Sequence, residues 1–320
     1  MLRPALAVLV LALVCANASA QSYPNKTIRL VVGFTPGGVS DVLARAMSAR
    51  LSQNFGQQVV VDNRPGAGTT IASEIIAKSA PDGYTLYFAD ATTHAINATL
   101  YRKLPYDSLK DFTYISLVAS TPLLLVVNPA LPAHSVAELI ALAKSKPGQL
   151  NYASSGTGTI VHLAGEMFKT LAHVEMVHVP YKGSSPAVTA VMAGDVALLF
   201  SSMPAALPFA KSGKLRAVAV TTPERVAAVQ DVPTIAESGF PGFELVLYNG
   251  LVGPAGMHKD VVDRIHDELA KVLALPDMKE FFATQGATPI TSTSEQFTAH
   301  MRAEIAKLGK AVKDSGAQVD

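Results

Sequence analysis

The sequence lacks tryptophan, and its single cysteine is Cys15, which lies among the first twenty residues. Without a second thiol the chain can form no intramolecular disulfide and no metal site built from several thiolates. Beyond an apolar run at residues 5–15, no segment approaches the roughly 20 apolar residues that a membrane-spanning helix needs. These absences exclude disulfide-stapled scaffolds, multi-cysteine metal centres and multispanning membrane proteins.

An excess of either charge is also missing. The chain has 26 basic and 25 acidic residues, and its formal net charge is +1. Nucleic acids and anionic membranes bind clustered Lys and Arg, and the sequence contains no such stripe, so we expect no nucleic-acid partner. Hydrophobic residues make up 49% of the chain, which favours well-buried α/β cores over disorder.

The first residues have the pattern of a secretory signal. Arg3 precedes the apolar run, and the small residues Ala18, Ser19 and Ala20 stand before Gln21. This order of charged, apolar and small-residue blocks predicts cleavage after Ala20 and export to the periplasm. A twin-arginine pair is absent, so we expect the chain to cross the membrane unfolded and to carry no cofactor.

The remaining chain alternates short β-branched runs with longer segments of helical period, which is typical of parallel sheets covered by helices. About 300 residues are more than one core usually organises, so we expect two α/β lobes. Residues 21–124 and 246–320 are assigned to lobe 1, and residues 125–245 form lobe 2. Strands near 113–118 and 123–127 lead to the first crossing, and lobe 2 is an insertion between two crossover strands.

Two loops combine a strand end, glycines, hydroxyls and the start of a helix. They are residues 34–41 (FTPGGVSD), called loop 1, and residues 154–159 (SSGTGT), called loop 2. Free backbone N–H groups and the positive end of the helix dipole favour an anion at each loop. Neither loop contains Lys or Arg or matches the P-loop pattern, so a carboxylate fits better than a phosphate.

Each loop alone is also explained as a tight turn that only caps its helix. Two loops of similar design, one per lobe, favour a ligand held between them at the carboxyl ends of the strands. Two further strand ends, at residues 90–94 and 180–185, add candidates. The candidate ligand-binding residues are Phe34, Thr35, Gly37, Gly38 and Asp41 in lobe 1, Ser154, Ser155, Gly156, Thr157, Gly158 and Thr159 in loop 2, and Thr92, Thr93, Tyr181, Gly183 and Ser184 at the further strand ends.

The sequence shows no catalytic or metal-binding signature. The nucleophile motifs G-x-S-x-G and S-x-x-K are absent, and two GxG fragments lack the rest of a dinucleotide fingerprint. His173 and His178 are five apart on an expected strand and point to opposite faces. His162 and Glu166 are four apart on an expected helix, which is typical of a surface or interlobe pair. We therefore expect no enzymatic activity, no metal and no cofactor.

Seven motifs in order resemble the Bug family, the periplasmic substrate-binding proteins of tripartite tricarboxylate transporters. They include PGGVSDVLAR, YASSGTGTIVHLAGEMF and VPYKGSSPAVTAVMAGDV, and together they run through nearly all of the exported chain. The resemblance implies a two-lobed Venus-flytrap fold of type II. It also implies that loop 1 and loop 2 grip a ligand carboxylate through main-chain amides, hydroxyls and ordered waters.

The resemblance further implies a small organic acid as ligand, from di- and tricarboxylates to acidic amino acids and aromatic acids. A monomer that delivers this acid to a membrane permease is expected, and the alternative is a sensor that signals to a membrane histidine kinase. The sequence departs from the family pattern at residues 67–70, where a further glycine is common, and at Tyr248, where tryptophan is frequent. Ligand contacts by Lys182, His94 and Tyr248 are left open.

Overall fold

The computed structural model describes residues 23–315 and Ala317. The predicted signal and its cleavage site after Ala20 lie outside the described residues. Strands and helices alternate along the chain, as the hydrophobic pattern predicts. The strands are β1 (Ile28–Val32), β2 (Val59–Asn63), β3 (Thr85–Asp90), β4 (Phe112–Val127), β5 (Asn151–Ser154), β6 (Val177–Pro180), β7 (Leu198–Ser202), β8 (Arg216–Val220), β9 (Val246–Pro254) and β10 (Thr288–Pro289).

The helices cover the sheets. They are α1 (Val39–Phe55), α2 (Thr70–Ala77), α3 (Ala91–Leu100), α4 (Val136–Ser145), α5 (Ile160–Ala172), α6 (Ser184–Ala193), α7 (Met203–Lys211), α8 (Lys259–Ala274), α9 (Pro276–Thr284) and α10 (Ser294–Ser315). Among the described residues, no helix combines the length and apolarity that crossing a membrane requires.

Two sheets organise the chain. Sheet A, in lobe 1, has the strand order β2-β1-β3-β9-β4, and β10 also pairs with β4. Sheet B, in lobe 2, has the order β4-β7-β5-β6, and β8 also pairs with β4. Within sheet A the strands β1, β2 and β3 run parallel, so their carboxyl ends meet at one edge. In sheet B the strands β5, β6 and β7 run parallel in the same way.

The strand β4 belongs to both sheets. It pairs with β9 in sheet A as far as Pro122, and from Leu123 it pairs with β7 in sheet B. The sequence predicted an interruption between residues 118 and 123, but the chain crosses on one continuous strand of 16 residues. Pro122 is tolerated because its partner in the ladder, Val246, is the first residue of β9. The lobe boundaries at 124 and 246 stay a prediction.

The alternation along β4 distributes its side chains between two hydrophobic cores. Leu123, Leu125 and Val127 lie in the larger core, whereas Leu124 and Val126 lie in the core on the opposite face of sheet B. All five side chains have 0% exposure, which is the pattern of a strand covered on both faces. The crossing between the lobes is therefore one of the best-packed parts of the molecule.

The helix α1 shows why its sequence folds as predicted. Val39, Leu43, Met47 and Leu51 recur every four residues, and all are buried against sheet A. Each fully buried apolar side chain contributes about 1.5–3 kcal/mol to the free energy of unfolding. The helix ends at Gly56, whose φ of 64° is the left-handed conformation common at helix C-termini.

Candidate functional site

A cavity of about 450 Å³ lies between the two lobes. Lobe 1 contributes residues 33–34, residues 66–69 and Tyr101 to its wall, and lobe 2 contributes residues 155–157 and 180–182. These segments follow the carboxyl ends of the parallel strands β1, β2, β5 and β6, where ligands of open α/β sheets bind. Phe34 of loop 1 and residues 155–157 of loop 2 thus line the same cavity from opposite lobes.

Five of the residues predicted to bind the ligand line this cavity. They are Phe34 of loop 1, Ser155, Gly156 and Thr157 of loop 2, and Tyr181 after β6. Lys182, whose contact with a ligand the sequence left open, also lines the cavity and is exposed to solvent. It is the only charged side chain in the described wall, and no ion pair holds it among the described residues.

Loop 1 is supported from below by an ionised carboxylate. The Oδ2 atom of Asp41 accepts a hydrogen bond from the amide of Gly37 at 2.9 Å, and Oδ1 accepts from Nδ2 of Asn63 at 2.9 Å. Nε of Arg45 donates to the same carboxylate at 3.0 Å. Burial acts to raise the pKa of Asp41, but the bonds from Arg45, Gly37 and Asn63 together outweigh it and lower that pKa. Asp41 braces the loop from outside the cavity.

Loop 2 is supported by neutral side chains. The amide of Gly156 donates to Oγ of Ser154 at 3.1 Å, and that hydroxyl is hydrogen-bonded to Nε2 of His178 at 2.6 Å. The amide of Gly158 donates to Nδ1 of His162 at 3.3 Å. Because Nδ1 of His162 accepts this bond, the neutral ring carries its proton on Nε2.

Thr159 caps the helix that follows loop 2. Its hydroxyl accepts a bond from the amide of His162 at 3.4 Å and donates to the carbonyl of Gly156 at 2.7 Å. Thr159 is therefore the N-cap of α5. In loop 1 the N-cap is Gly38, which has no side-chain bond to the helix.

The two histidines that support loop 2, His162 of α5 and His178 of β6, form a stack. The ring centroids of His162 and His178 are 4.1 Å apart, and Tyr152 stacks on His178 at 4.9 Å. Burial lowers the pKa of His162, whereas burial and the neighbouring His162 lower the pKa of His178 to about 4. Both rings are therefore neutral near pH 7.

The sequence expected His162 and Glu166 to pair at a surface or between the lobes, but the structure separates their roles. His162 has 5% exposure and lies under loop 2. Glu166 instead accepts hydrogen bonds from the hydroxyl of Tyr152 and from Nζ of Lys169, the latter at 2.9 Å. The ring of His162 instead stacks on His178 of β6.

Direct contacts between the lobes surround the cavity. The amide of Ile160, at the start of α5, donates to Oγ1 of Thr93 in α3 at 3.3 Å. Oγ of Ser185 in lobe 2 donates to the carbonyl of Pro36 in loop 1 at 3.1 Å. Thr93 is thus an interlobe contact, although it does not line the cavity.

The other predicted residues lie outside the cavity wall. Oγ1 of Thr92 donates to the carbonyl of Val246 at 3.3 Å and accepts from the amide of Tyr248 at 2.9 Å, which ties α3 to β9. For all the predicted residues outside the wall, a part in ligand binding stays a prediction. The predicted residues outside the described wall are Thr35, Gly37, Gly38, Asp41, Thr92, Thr93, Ser154, Gly158, Thr159, Gly183 and Ser184.

Two residues whose roles the sequence left open lie away from the interlobe cavity. His94 is buried, stacks on Tyr106 with ring centroids 5.4 Å apart, and has Nδ1 at 3.3 Å from Oγ of Ser73. Tyr248 packs edge-on against His300 and lines a second cavity. Residues 90–94 were expected to form a loop, but α3 begins directly after β3 with Asp90 as its N-cap.

Sequence reasoning did not assign the turn at residues 66–69 or Tyr101 to the ligand site, although both line the cavity. Gly66, Ala67, Gly68 and Thr69 all have positive φ, which short sequence patterns do not reveal for alanine and threonine. The available signal was position, because this glycine-rich turn follows β2 at the same sheet edge as loop 1. Among the described residues there is no group of three or more side chains suited to hold a metal ion.

Known proteins resemble the whole chain. A family model described as "Tripartite tricarboxylate transporter family receptor" matches residues 43–317. The chain belongs to this receptor family. BugT of Bordetella pertussis is 36% identical to this receptor over 307 residues, which cover 96% of this chain and 94% of BugT.

Solved structures share the fold of this receptor. An R. palustris protein solved with adipate is 38% identical and has a TM-score of 0.90, covering 93% of this chain and 100% of its own. MatC from Rhodopseudomonas palustris, solved with bound malate, is 30% identical with a TM-score of 0.87, covering 91% and 100%. The comparisons confirm the predicted family and fold, and this is a family of solute-binding proteins.

Proposed function

We propose that this receptor captures a small organic acid in the cavity between its lobes and delivers it to a membrane permease. The observation that carries the proposal is a cavity of about 450 Å³ that is lined by Phe34 of loop 1 and by residues 155–157 of loop 2. That volume lies within the range of small-molecule sites. Both loops lead into helices, and the positive end of a helix dipole favours an anion.

The charges of the wall support an acid as the ligand. Lys182 lines the cavity, and no carboxylate side chain does so among the described residues. Hydroxyls of Ser155, Thr157 and Thr69 add donors to the same wall. The structural relatives solved with adipate and with malate hold acids of this class.

The number of available donors is sufficient for useful affinity. A hydrogen bond to a charged group contributes about 1.5–3 kcal/mol, and micromolar binding requires about 8 kcal/mol. Four or five donors shared between the lobes therefore suffice. An acid that touches both lobes favours their closure, and the permease then recognises the closed form. The predicted signal at residues 1–20 supports a periplasmic location for this step.

A thermal-shift screen against adipate, malate, citrate, glutamate and benzoate tests the proposal. An acid present at 100 times its Kd is expected to stabilise the receptor by about 2.7 kcal/mol. Adipamide, which has the carbon chain of adipate without its charges, is the matched control and is expected to give no shift. If no acid raises the melting temperature, or if adipamide acts as adipate does, the proposal is wrong.

A further inference from the structure

Thr69 adopts a backbone conformation that suits glycine. Its φ is 73° and its ψ is −1°, and the three residues before it also have positive φ. Left-handed backbone is disfavoured for β-branched side chains because Cβ approaches the following carbonyl oxygen. A threonine held in this conformation therefore carries strain, and strained residues cluster at ligand-binding sites.

The hydroxyl of Thr69 is buried and has no hydrogen-bond partner among the described residues. The residue has 1% exposure, and Oγ1 has neither a donor nor an acceptor within bonding geometry. Burying a hydroxyl without a partner is costly, so each such group in a native protein requires an explanation. Thr69 thus combines two unfavourable features at one position.

The surroundings of Thr69 include the interlobe cavity and the buried phenol of Tyr87. The residue lines the cavity wall and packs against Gly33, the residue immediately before loop 1. The phenol of Tyr87 lies beside it and also lacks a hydrogen bond of acceptable geometry. Burial raises the pKa of Tyr87, so its hydroxyl remains protonated. Thr69 lies close enough to act against burial and lower the pKa of Tyr87, but the two hydroxyls are not within hydrogen-bond geometry in this conformation.

We propose that Thr69 is a specificity-determining residue whose hydroxyl hydrogen-bonds to an oxygen of the bound acid. The inference rests on the proposed function, because it assigns one further donor to the same site. A bound carboxylate would satisfy the hydroxyl that the protein leaves without a partner. The side chain is then retained for ligand recognition at the expense of backbone strain.

Three substitutions separate the hydroxyl from the strain. Thr69→Val keeps the shape and removes the hydroxyl, Thr69→Ser keeps a hydroxyl, and Thr69→Gly removes both the hydroxyl and the strain. Calorimetric titration with adipate and with malate is expected to show about tenfold weaker binding for the valine and glycine variants. The serine variant is expected to stay within about threefold of the wild type. The ligand-free glycine variant is expected to melt at a higher temperature than the wild type.

His173→Gly is the matched control for strain relief. His173 is exposed at the end of α5 with a φ of 52°, away from the cavity wall. This variant is expected to melt higher while its affinity for both acids is unchanged. Wild-type affinity in Thr69→Val would overturn the inference, and so would wild-type affinity in Thr69→Gly if the valine variant failed to fold. Absence of binding by the wild type to every acid of the screen would instead overturn the proposed function.

Discussion

In loop 1 the amide of Gly37 donates to the carboxylate of Asp41, whereas in loop 2 the amides of Gly156 and Gly158 donate to a serine hydroxyl and an imidazole. One lobe fixes its amides with a charged group that is ion-paired to Arg45, and the other uses neutral groups in a ring stack. The glycine amides of the two loops are therefore held by supports of different charge, one ionised and the other neutral. We expect different substitutions, and different pH values, to disrupt the conformations of the two loops.

The largest expected effect follows from removing the charged support of loop 1. Asp41→Ala leaves three donors without their shared acceptor, two of them side chains and one the amide of Gly37. The free energy of unfolding is expected to fall by about 2–4 kcal/mol, measured by urea denaturation at pH 7. Asp314→Ala is the matched control, because Asp314 pairs with Lys310 on the exposed face of α10 and is expected to cost less than about 0.5 kcal/mol. Equal losses of stability in the two variants would show that Asp41 contributes no more than an exposed ion pair does.

The next largest effect is expected from a substitution in loop 2 at the point where this loop contacts lobe 1. A Cβ atom at Gly158 would lie 2.9 Å from Cδ2 of Leu100 and 3.1 Å from Oδ1 of Asn97, both in lobe 1. Gly158→Val is therefore expected to hinder closure and to weaken adipate binding at least about tenfold, or about 1.4 kcal/mol, in calorimetric titration. In loop 1, a Cβ at Gly37 would lie 2.7 Å from Oγ of Ser185 in lobe 2, and because this short side chain is partly exposed and can rotate away, Gly37→Val is expected to weaken binding less.

Gly213→Val is the control for the backbone effect of the Gly158 substitution. Gly213 has a φ of 74°, against 86° for Gly158, and a Cβ there would contact nothing within 4 Å. Both variants are expected to lose similar stability, because valine is disfavoured in this backbone region. Only Gly158→Val is expected to lose affinity. Equal affinity in the two variants would show that this face of loop 2 plays no part in closure.

The smallest of these effects is the loss of stability at low pH that follows from protonation of His178. The pKa of His178 is about 4 in the folded protein and near 6.5 when the chain is unfolded, so the unfolded state binds more protons between these values. Stability is therefore fully present above pH 6.5 and falls as the pH drops towards 4. Since His178 is partly exposed, we expect a loss of about 1–2 kcal/mol. The lowered pKa of Asp41 adds a loss only in stronger acid.

Urea denaturation of the wild type and of His178→Gln at pH 7, pH 5.5 and pH 4 measures the contribution of the histidine. Glutamine at position 178 does not titrate, so the stability of the variant is expected to decline less between pH 6.5 and pH 4, although His94 and His162 still contribute. Parallel pH profiles for the two proteins would contradict the distinction drawn between the loops.

Much of the fold could be predicted because it depends on local period. The spacing of Val39, Leu43, Met47 and Leu51 specifies a buried helix face without reference to the rest of the chain. The continuity of β4 could not be predicted in this way. Pro122 normally interrupts a strand, and only its position opposite the first residue of β9 makes it compatible with the sheet.

The candidate site was predictable only in part. Glycines and hydroxyls after strand ends identified both loops, because those residue types have a local reason to be there. The left-handed conformations of Ala67 and Thr69 oppose their intrinsic preferences and are imposed by tertiary packing. The burial of His162 likewise depends on β6, whose His178 lies sixteen residues further along the chain.

The place of β9 in sheet A has a consequence for the order in which the protein is assembled. This strand lies between β3 and β4, although residues 246–254 are synthesised after the whole of lobe 2. The strands β3 and β4 of lobe 1 therefore cannot be joined into one sheet until about four-fifths of the chain has been made. Long-range pairing of this kind slows folding, because the loop that closes it contains the whole of lobe 2.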